Sequence, residues 1–440
     1  MSRSTGGGSA ASADSDMLFP AADGDRGGAY LVGPVLPGTL SAEAEEHVDE
    51  LSSLADTAGF RETGRAVLSI RRMHPGTFFG KGQVEEIGVV ARGFETDVLI
   101  IDHELSPGQL RNLEKSCEMP VVDRAGLILD IFAQRARSRE ARTQVELARL
   151  QYLLPRLAGR WAHLSRQAGG GPGGTKGEGE KQIELDRRMI GHRIARLRRE
   201  LTRIDRGREV RSKSRRATPQ AALVGYTNVG KSSLFNRLTR SDVVVEDRLF
   251  ATLDTTVRKV PLPVGESFLA KDTVGFIRKL PHNLVASFRS TFREAGEADL
   301  MVLVVDLSHP LGEEQLSTVE RVLEETDLAD RARLLVFNKI DLVPPEVRTA
   351  VKQRRPDALM VSATTGEGID DLVEAVAERL LGRLMTSICE VPFERKDVLA
   401  EVHRRGRVHY CEENGEGMRI KVTARGRLFE DLQRMLDDGS

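Results

Sequence analysis

The stretch "GYTNVGKS", residues 225 to 232, constrains this chain more than any other. It follows the apolar run "AALV" and precedes "SLFNRL", so it reads as a loop between a buried strand and a helix. The match is to GxxxxGK[ST], a loop that presents backbone N–H groups to a phosphate. Such a loop works at the end of a strand and the start of a helix, where donors are left over. It therefore commits this part of the chain to a mostly parallel α/β sheet. Gly225 and Gly230 let the backbone curl, with Tyr226, Thr227, Asn228 and Val229 between them. Lys231 supplies a point charge to the β- and γ-phosphates, and Ser232 offers a hydroxyl to Mg²⁺.

Three further motifs follow in order, each after an apolar run. In "DTVG", Asp272 is placed to hold the metal through water, and the Gly275 N–H to meet the γ-phosphate, with Thr273 and Val274 between. In "NKID", Asp341 can accept two hydrogen bonds from guanine N1–H and N2–H₂, a donor pair adenine lacks, so ATP should be rejected. Asn338 is expected to brace the loop, Lys339 to lie along base and ribose, and Ile340 to complete the turn. In "VSATTGEG", the backbone of Ser362 and Ala363, followed by Thr364, is expected to reach the guanine O6. The stretch "LFATLD" supplies Phe250, Ala251, Thr252, Leu253 and Asp254 to the same site. Thr252 is the chosen Mg²⁺ ligand, lying 20 residues after Ser232 and 20 before Asp272; Thr255 or Thr256 is the alternative.

These motifs give a GTP hydrolase in which Lys231, Thr252 and Gly275 carry the chemistry. The residue after Gly275 is Phe276, where Ras-like enzymes carry a glutamine that orients the attacking water. Phe276 can neither donate nor accept that bond, so the isolated protein should turn over slowly. Asn228 stands where several GTPases lacking the glutamine place an asparagine that helps hold K⁺; an ordinary loop asparagine is the other reading.

Around this GTPase domain, residues 217 to 386, four other segments are expected. Residues 1 to 27 are Gly/Ser/Ala-rich and read as a disordered tail with no signal-peptide core. Residues 28 to 138 read as a small α/β domain, with "AVLSIRRM" and "TDVLIID" as buried strands and "QVEEIGVVARGF" and "SPGQLRNLEKSC" as helices. In it, Gly80-Lys81-Gly82 reads as a tight strand-to-helix turn rather than a phosphate loop. Residues 139 to 216 carry two heptad stripes, Leu147, Leu150, Leu154, Leu157, Trp161 and Leu164, then Ile190, Ile194, Leu197, Leu201 and Ile204. These make an antiparallel helical hairpin with a glycine-rich tip loop over 168 to 181, and Pro155 should kink or interrupt the first helix. Residues 387 to 440 read as a small α+β module with strands "RVHYCEEN" and "GMRIKVTA".

The net charge of −1 hides one asymmetry. Asp186 to Arg216 holds thirteen Lys and Arg against four acids, a local charge of +9. A strong sign on a protruding element points to a polyanion such as RNA, with Arg187, Arg188, Arg193, Arg196, Arg198 and Arg199 as candidate phosphate contacts. Cys117, Cys389 and Cys411 are scattered, which fits a reducing cytosol. No apolar run reaches the roughly 18 residues needed to span a bilayer.

With these residues in place, the chain over 30 to 440 resembles the HflX family of GTPases, bacterial members especially. The marks are "GKGQVEEI", "ARLQYLLPRLAGRWAHLSRQ", "QIELDRRMIGHRI", "GYTNVGKSSLFNRLT", "LFATLD", "DTVGFIRKLPHNLVASFRSTFRE" and "NKIDL". It departs from the family where the tip usually reads GPGE and here reads Gly177-Glu178-Gly179-Glu180. The resemblance implies a cytoplasmic protein, ribosome- or membrane-surface-associated, that binds the 50S subunit and its 23S rRNA. It further implies that the protein splits stalled or idle 70S ribosomes under stress, with GTP-to-GDP conversion releasing it. A monomer is expected, with no DNA partner. The competing readings are an ATP-driven RNA remodeller, with a nucleotide near Lys81, and an rRNA-maturing GTPase that does not split ribosomes.

Overall fold

The computed structural model describes residues 26–157, 176–213, 218–241, 248–263, 265–279, 296–326, 328 and 330–437. They fall into two compact bodies. One holds the described residues to Ile204 together with Arg248–Phe250 and Lys279; the other holds the rest.

In the first body, β1 (Gly28–Val35), β2 (Arg61–Ser69), β3 (Val98–Ile101) and β4 (Val121–Asp123) form an all-parallel sheet in the order β2-β1-β3-β4. Helices α1 (Ser41–Ala58), α2 (Lys81–Gly93), α3 (Pro107–Cys117) and α4 (Arg124–Arg135) alternate with the strands. The central strands read as unbroken apolar runs because both faces are covered; Leu99, Ile100 and Ile101 are fully buried. "AVLSIRRM" departs from expectation. Only its first four residues are strand, and β2 is a half-exposed edge rather than a buried one. Gly80 is the N-cap of α2 and its N–H donates to the Gln83 side chain at 3.2 Å, while Lys81 points to solvent. Gly80-Lys81-Gly82 is the start of α2 rather than the tight strand-to-helix turn expected, since a longer connection separates it from β2.

The two heptad stripes meet. In α5 (Arg139–Leu153) and the long α6 (Lys176–Lys213), Leu147, Ile194 and Leu197 form a buried seam flanked by Leu150, Leu154, Ile190 and Leu201. Arg139 pairs with Glu200 and Glu146 with Arg193, so partner numbers fall as α5 advances, the mark of an antiparallel pair. α5 ends two residues before Pro155, whose ring and missing N–H do not suit the next turn. Trp161, Leu164 and residues 168 to 175 lie outside the described residues. The expected loop to residue 181 is corrected at its far end, because the helix already runs from Lys176.

In the second body, β5 (Gln220–Gly225), β6 (Thr256–Pro261), β7 (Ser267–Asp272), β8 (Leu300–Asp306), β9 (Arg333–Asn338) and β10 (Leu359–Met360) form a sheet ordered β10-β9-β8-β5-β7-β6. Only β6 runs antiparallel to its neighbour. Helices α7 (Lys231–Thr239), α8 (Gly312–Glu325), α9 (Pro345–Arg354) and α10 (Ile369–Leu381) accompany it. The last segment folds as β11 (Leu384–Pro392), α11 (Lys396–Arg405), β12 (Arg407–Glu413), β13 (Gly417–Arg425) and α12 (Gly426–Asp437). Its antiparallel sheet has the order β11-β13-β12, and α11 and α12 share one apolar core with it. Two ion pairs anchor this module to the GTPase fold, Arg425 to Glu374 and Arg405 to Glu266, while Arg405 also pairs with Asp431 inside the module. Gly265, with φ +67, lets the β6–β7 turn approach so closely that a Cβ would lie 2.6 Å from the Arg404 carbonyl.

Candidate nucleotide and metal site

The loop from Gly225 to Ser232 leaves the C-terminal end of β5 and enters α7, in the middle of the sheet. Lys231 is buried at the start of α7, and its Nζ donates to the Tyr226 carbonyl at 2.6 Å. Gly275 fits beneath it: a Cβ there would stand 2.9 Å from that Nζ and 2.8 Å from the Thr227 methyl. Asn228 is exposed, with φ +60. The Phe276 N–H donates to the Gly225 carbonyl at 3.0 Å, and its carbonyl accepts from the Thr227 N–H at 2.7 Å. Its ring is 3% exposed, so the position that carries glutamine in Ras-like enzymes is here a buried apolar anchor stitched to the phosphate loop.

Three oxygens converge beside Lys231. The Ser232 hydroxyl donates to Asp272 Oδ2 at 2.7 Å, the Thr252 hydroxyl donates to the same oxygen at 2.9 Å, and the two hydroxyls are 2.8 Å apart. Thr252 joins this group; Thr256 begins β6, and the buried Thr255 hydroxyl has no hydrogen-bond partner among the described residues. Burial is the main influence on Asp272 and pushes its carboxyl up, against Ser232, Lys231 and Thr252. Its Oδ1 is buried without a hydrogen-bond partner among the described residues. An orphaned carboxylate oxygen beside two hydroxyls is a hard-oxygen donor set, and it fits Mg²⁺. Among the described residues no group of three His, Cys, Asp or Glu could hold a metal. The ion would thus be shared between Ser232, Thr252, Asp272 and the phosphates.

The side expected to read the base is braced by Asn338. Its Nδ2 donates to the Val229 carbonyl at 2.9 Å and its Oδ1 accepts from the Ala363 N–H at 3.1 Å, tying the phosphate loop to the 362–364 turn. Lys339 pairs with Asp306 at 2.6 Å. Asp341 sits exposed on a single 3₁₀ turn, Ile340–Leu342. Ser362 is fully buried and its hydroxyl accepts from the Thr365 N–H. Sequence reasoning missed Asp306, and also Arg237, which donates to the carbonyls of Ala363 and Thr364 at 3.1 and 2.5 Å. No motif spacing marks either. The Phe250 ring packs on Phe132 at 4.6 Å within the first body. Ala251, Leu253 and Asp254 follow it in the chain, and Thr273 and Val274 are buried beyond Asp272.

Burial, opposed by Asp272, lowers the Lys231 pKa to about 8. The unfolded chain therefore binds this proton more tightly, and stability of the nucleotide-free protein should rise as pH climbs from about 8 toward 10.5. Phosphates favour the charged form. Binding of GDP at pH 8 should take up about half a proton, and almost none at pH 6.5. Calorimetry in buffers of different ionisation enthalpy reads this directly; equal uptake at both pH values would refute it.

Four family models match the chain in order. They are described as GTP-binding GTPase N-terminal (residues 45–133), GTP-binding GTPase middle region (135–215), 50S ribosome-binding GTPase (220–339) and HflX C-terminal domain (348–440). The chain is also 46% identical over 359 residues to GTPase HflX of Magnetococcus marinus, a match that covers 81% of this chain and 83% of that one. The chain belongs to the HflX GTPase family. GTPase HflX of Escherichia coli is 44% identical over 353 residues, covering 79% and 82%. Among solved structures, the SsGBP–GDP complex is 26% identical with a TM-score of 0.46, covering 80% of this chain and 97% of that one. As an HflX-family protein the chain is a GTPase: it binds GTP and hydrolyses it to GDP. Among the described residues, no helix is long and apolar enough to cross a membrane.

Proposed function

We propose that this HflX-family GTPase docks on the 50S ribosomal subunit through its helical hairpin and splits stalled or idle 70S ribosomes, with GTP hydrolysis releasing it. The observation that carries the docking is the exposed basic face of α6. Arg187, Arg188, Arg193, Arg196, Arg198 and Arg199 are all exposed, and among the described residues Arg188 pairs with Glu184 and Arg193 with Glu146. Arg196 and Arg199 also line a cleft of about 650 Å³ with Arg139, Arg203 and Glu200. An arginine-rich concavity on a long helix suits an RNA phosphate backbone, because each neutralised phosphate releases counterions. The description of the matching model, a 50S ribosome-binding GTPase, supports the same partner.

In this reading water attacks the γ-phosphate without a side-chain base. Lys231 and the loop amides take the developing charge, and Ser232, Thr252 and Asp272 would hold Mg²⁺, which would supply positive charge to the phosphate oxygens. Gly275 places its N–H at the γ-phosphate. Phe276 leaves the water unpositioned, so basal turnover is low and the ribosome, or K⁺ held near Asn228, completes the site. The test joins two measurements on the full chain. Turnover in Na⁺ and in K⁺, with and without 50S subunits, should rise at least about tenfold with subunits or K⁺. With 70S ribosomes and a non-hydrolysable GTP analogue, sucrose gradients should shift material to free subunits. Binding without that shift would remove splitting and leave the rRNA-maturing alternative.

A further inference from the structure

The C-terminal module has a surface that the nucleotide site and the hairpin do not use. Residues paired across antiparallel strands share a face, so the register divides this sheet cleanly. On one face Val391, Ile420, Val422 and Ala424 are buried against α11 and α12. On the other, Ile388, Lys421 and Tyr410 form one row across all three strands, the first two exposed and Tyr410 half-exposed. Arg407 lies beside that row opposite Thr423, and His409 bulges between Val408 and Tyr410 with its Nε2 at 2.7 Å from the Thr423 hydroxyl. Arg419 lies on the other side, between Glu390 and Glu412.

This arrangement has a direction. Glu390 and Glu412 flank Arg419 and make that end of the sheet unwelcoming to an anion. The half with Arg407, His409, Tyr410 and Lys421 carries no acid in its paired rows and presents two cations beside two flat rings. An antiparallel sheet with rings and cations interleaved, covered on this face only near Arg425, which pairs with Glu374, suits unstacked bases and their phosphates. A folded protein partner would find two large aliphatics on this face, Ile388 and, at the end of the sheet, Leu384, which are too few to bury as an interface core.

We propose that this open face binds single-stranded RNA, with one base stacked on Tyr410 and adjacent phosphates taken by Lys421 and Arg407. The inference takes its partner class from the RNA-docking reading above and adds a second, separate surface to it. The face is distant in sequence from every nucleotide motif, so GTP turnover by the isolated protein should not change when it is altered.

Fluorescence anisotropy of a short labelled single-stranded RNA with the full chain tests this. Tyr410→Ala and Lys421→Glu should each weaken binding by about fivefold to a hundredfold, while Tyr410→Phe stays near wild type. Circular dichroism and unchanged basal GTP turnover check that the variants are folded. Wild-type affinity in both variants would overturn the proposal, as would loss with Lys421→Glu alone, which would mean unspecific charge attraction without stacking. Equal affinity for duplex RNA would overturn it too. The double reversal Arg198→Glu/Arg199→Glu, run beside them, separates the two surfaces. If it alone removes RNA binding, the hairpin reading stands and this one falls; if it changes nothing while Tyr410→Ala weakens binding, the reverse holds.

Discussion

Asp341→Asn should turn this GTPase into a xanthine-nucleotide enzyme. Affinity for GTP falls by about 10³-fold or more, and turnover returns with XTP. The carboxylate of Asp341 can accept from both guanine N1–H and N2–H₂. An asparagine there sets its own N–H₂ against the guanine N2–H₂, donor against donor, and leaves a polar pair unmatched. Xanthine has a carbonyl at that carbon, so the asparagine amide finds an acceptor. The change should act on the base alone. Asp341 is exposed on a short turn, while its neighbours are held independently, Asn338 by Val229 and Ala363, and Lys339 by Asp306. Thermal stability should therefore stay within about 0.5 kcal/mol of wild type. Steady-state kcat/KM for GTP and XTP is the measurement. A variant that keeps its preference for GTP would mean that Asp341 does not read the base.

The elements that carry phosphate and base recognition were legible because they combine two local signals. "GYTNVGKS" has both a strand before it and a helix after it, and "NKID" ends an apolar run that becomes β9. The hairpin was legible for another reason. A heptad stripe is a statement about a partner helix, and Leu147 and Ile194 meet as the spacing demands. What failed to show were properties set by the rest of the fold. The run "AVLSIRRM" is apolar enough for a core strand, and nothing in its period says that β2 lies at the edge. Phe250 stands inside a motif, yet its ring is taken by Phe132, more than a hundred residues earlier in the chain. Arg237 and Asp306 bridge motifs without belonging to one. The sequence left three threonines as candidates, and only the convergence of Thr252 with Ser232 and Asp272 separates them geometrically.

Arg124→Ala should give the largest loss of stability, about 3 to 5 kcal/mol in the unfolding of the first body. Arg124 opens α4 and is 1% exposed. Its guanidinium donates to Asp102 Oδ1 at 2.5 Å and to Glu50, and Asp102 is itself 2% exposed. Removing the arginine takes a buried guanidinium from a buried carboxylate; Lys279 Nζ is 3.4 Å from Asp102 Oδ2 and 2.8 Å from its carbonyl. Lys279 is partly exposed, so water screens it, and it cannot replace a fully buried guanidinium. The cost therefore comes from the weakened compensation of the Asp102 charge more than from the lost volume. That separates two outcomes. If charge dominates, adding Asp102→Asn to Arg124→Ala restores part of the stability, since the double variant no longer buries the Asp102 charge without its guanidinium. If the cavity dominates, Asp102→Asn adds its own loss, and Arg124→Met recovers more than the double variant does. Urea unfolding followed by circular dichroism, with all four proteins compared at one pH, decides between them. A loss below about 1 kcal/mol for Arg124→Ala would show that the network contributes no more than a surface pair.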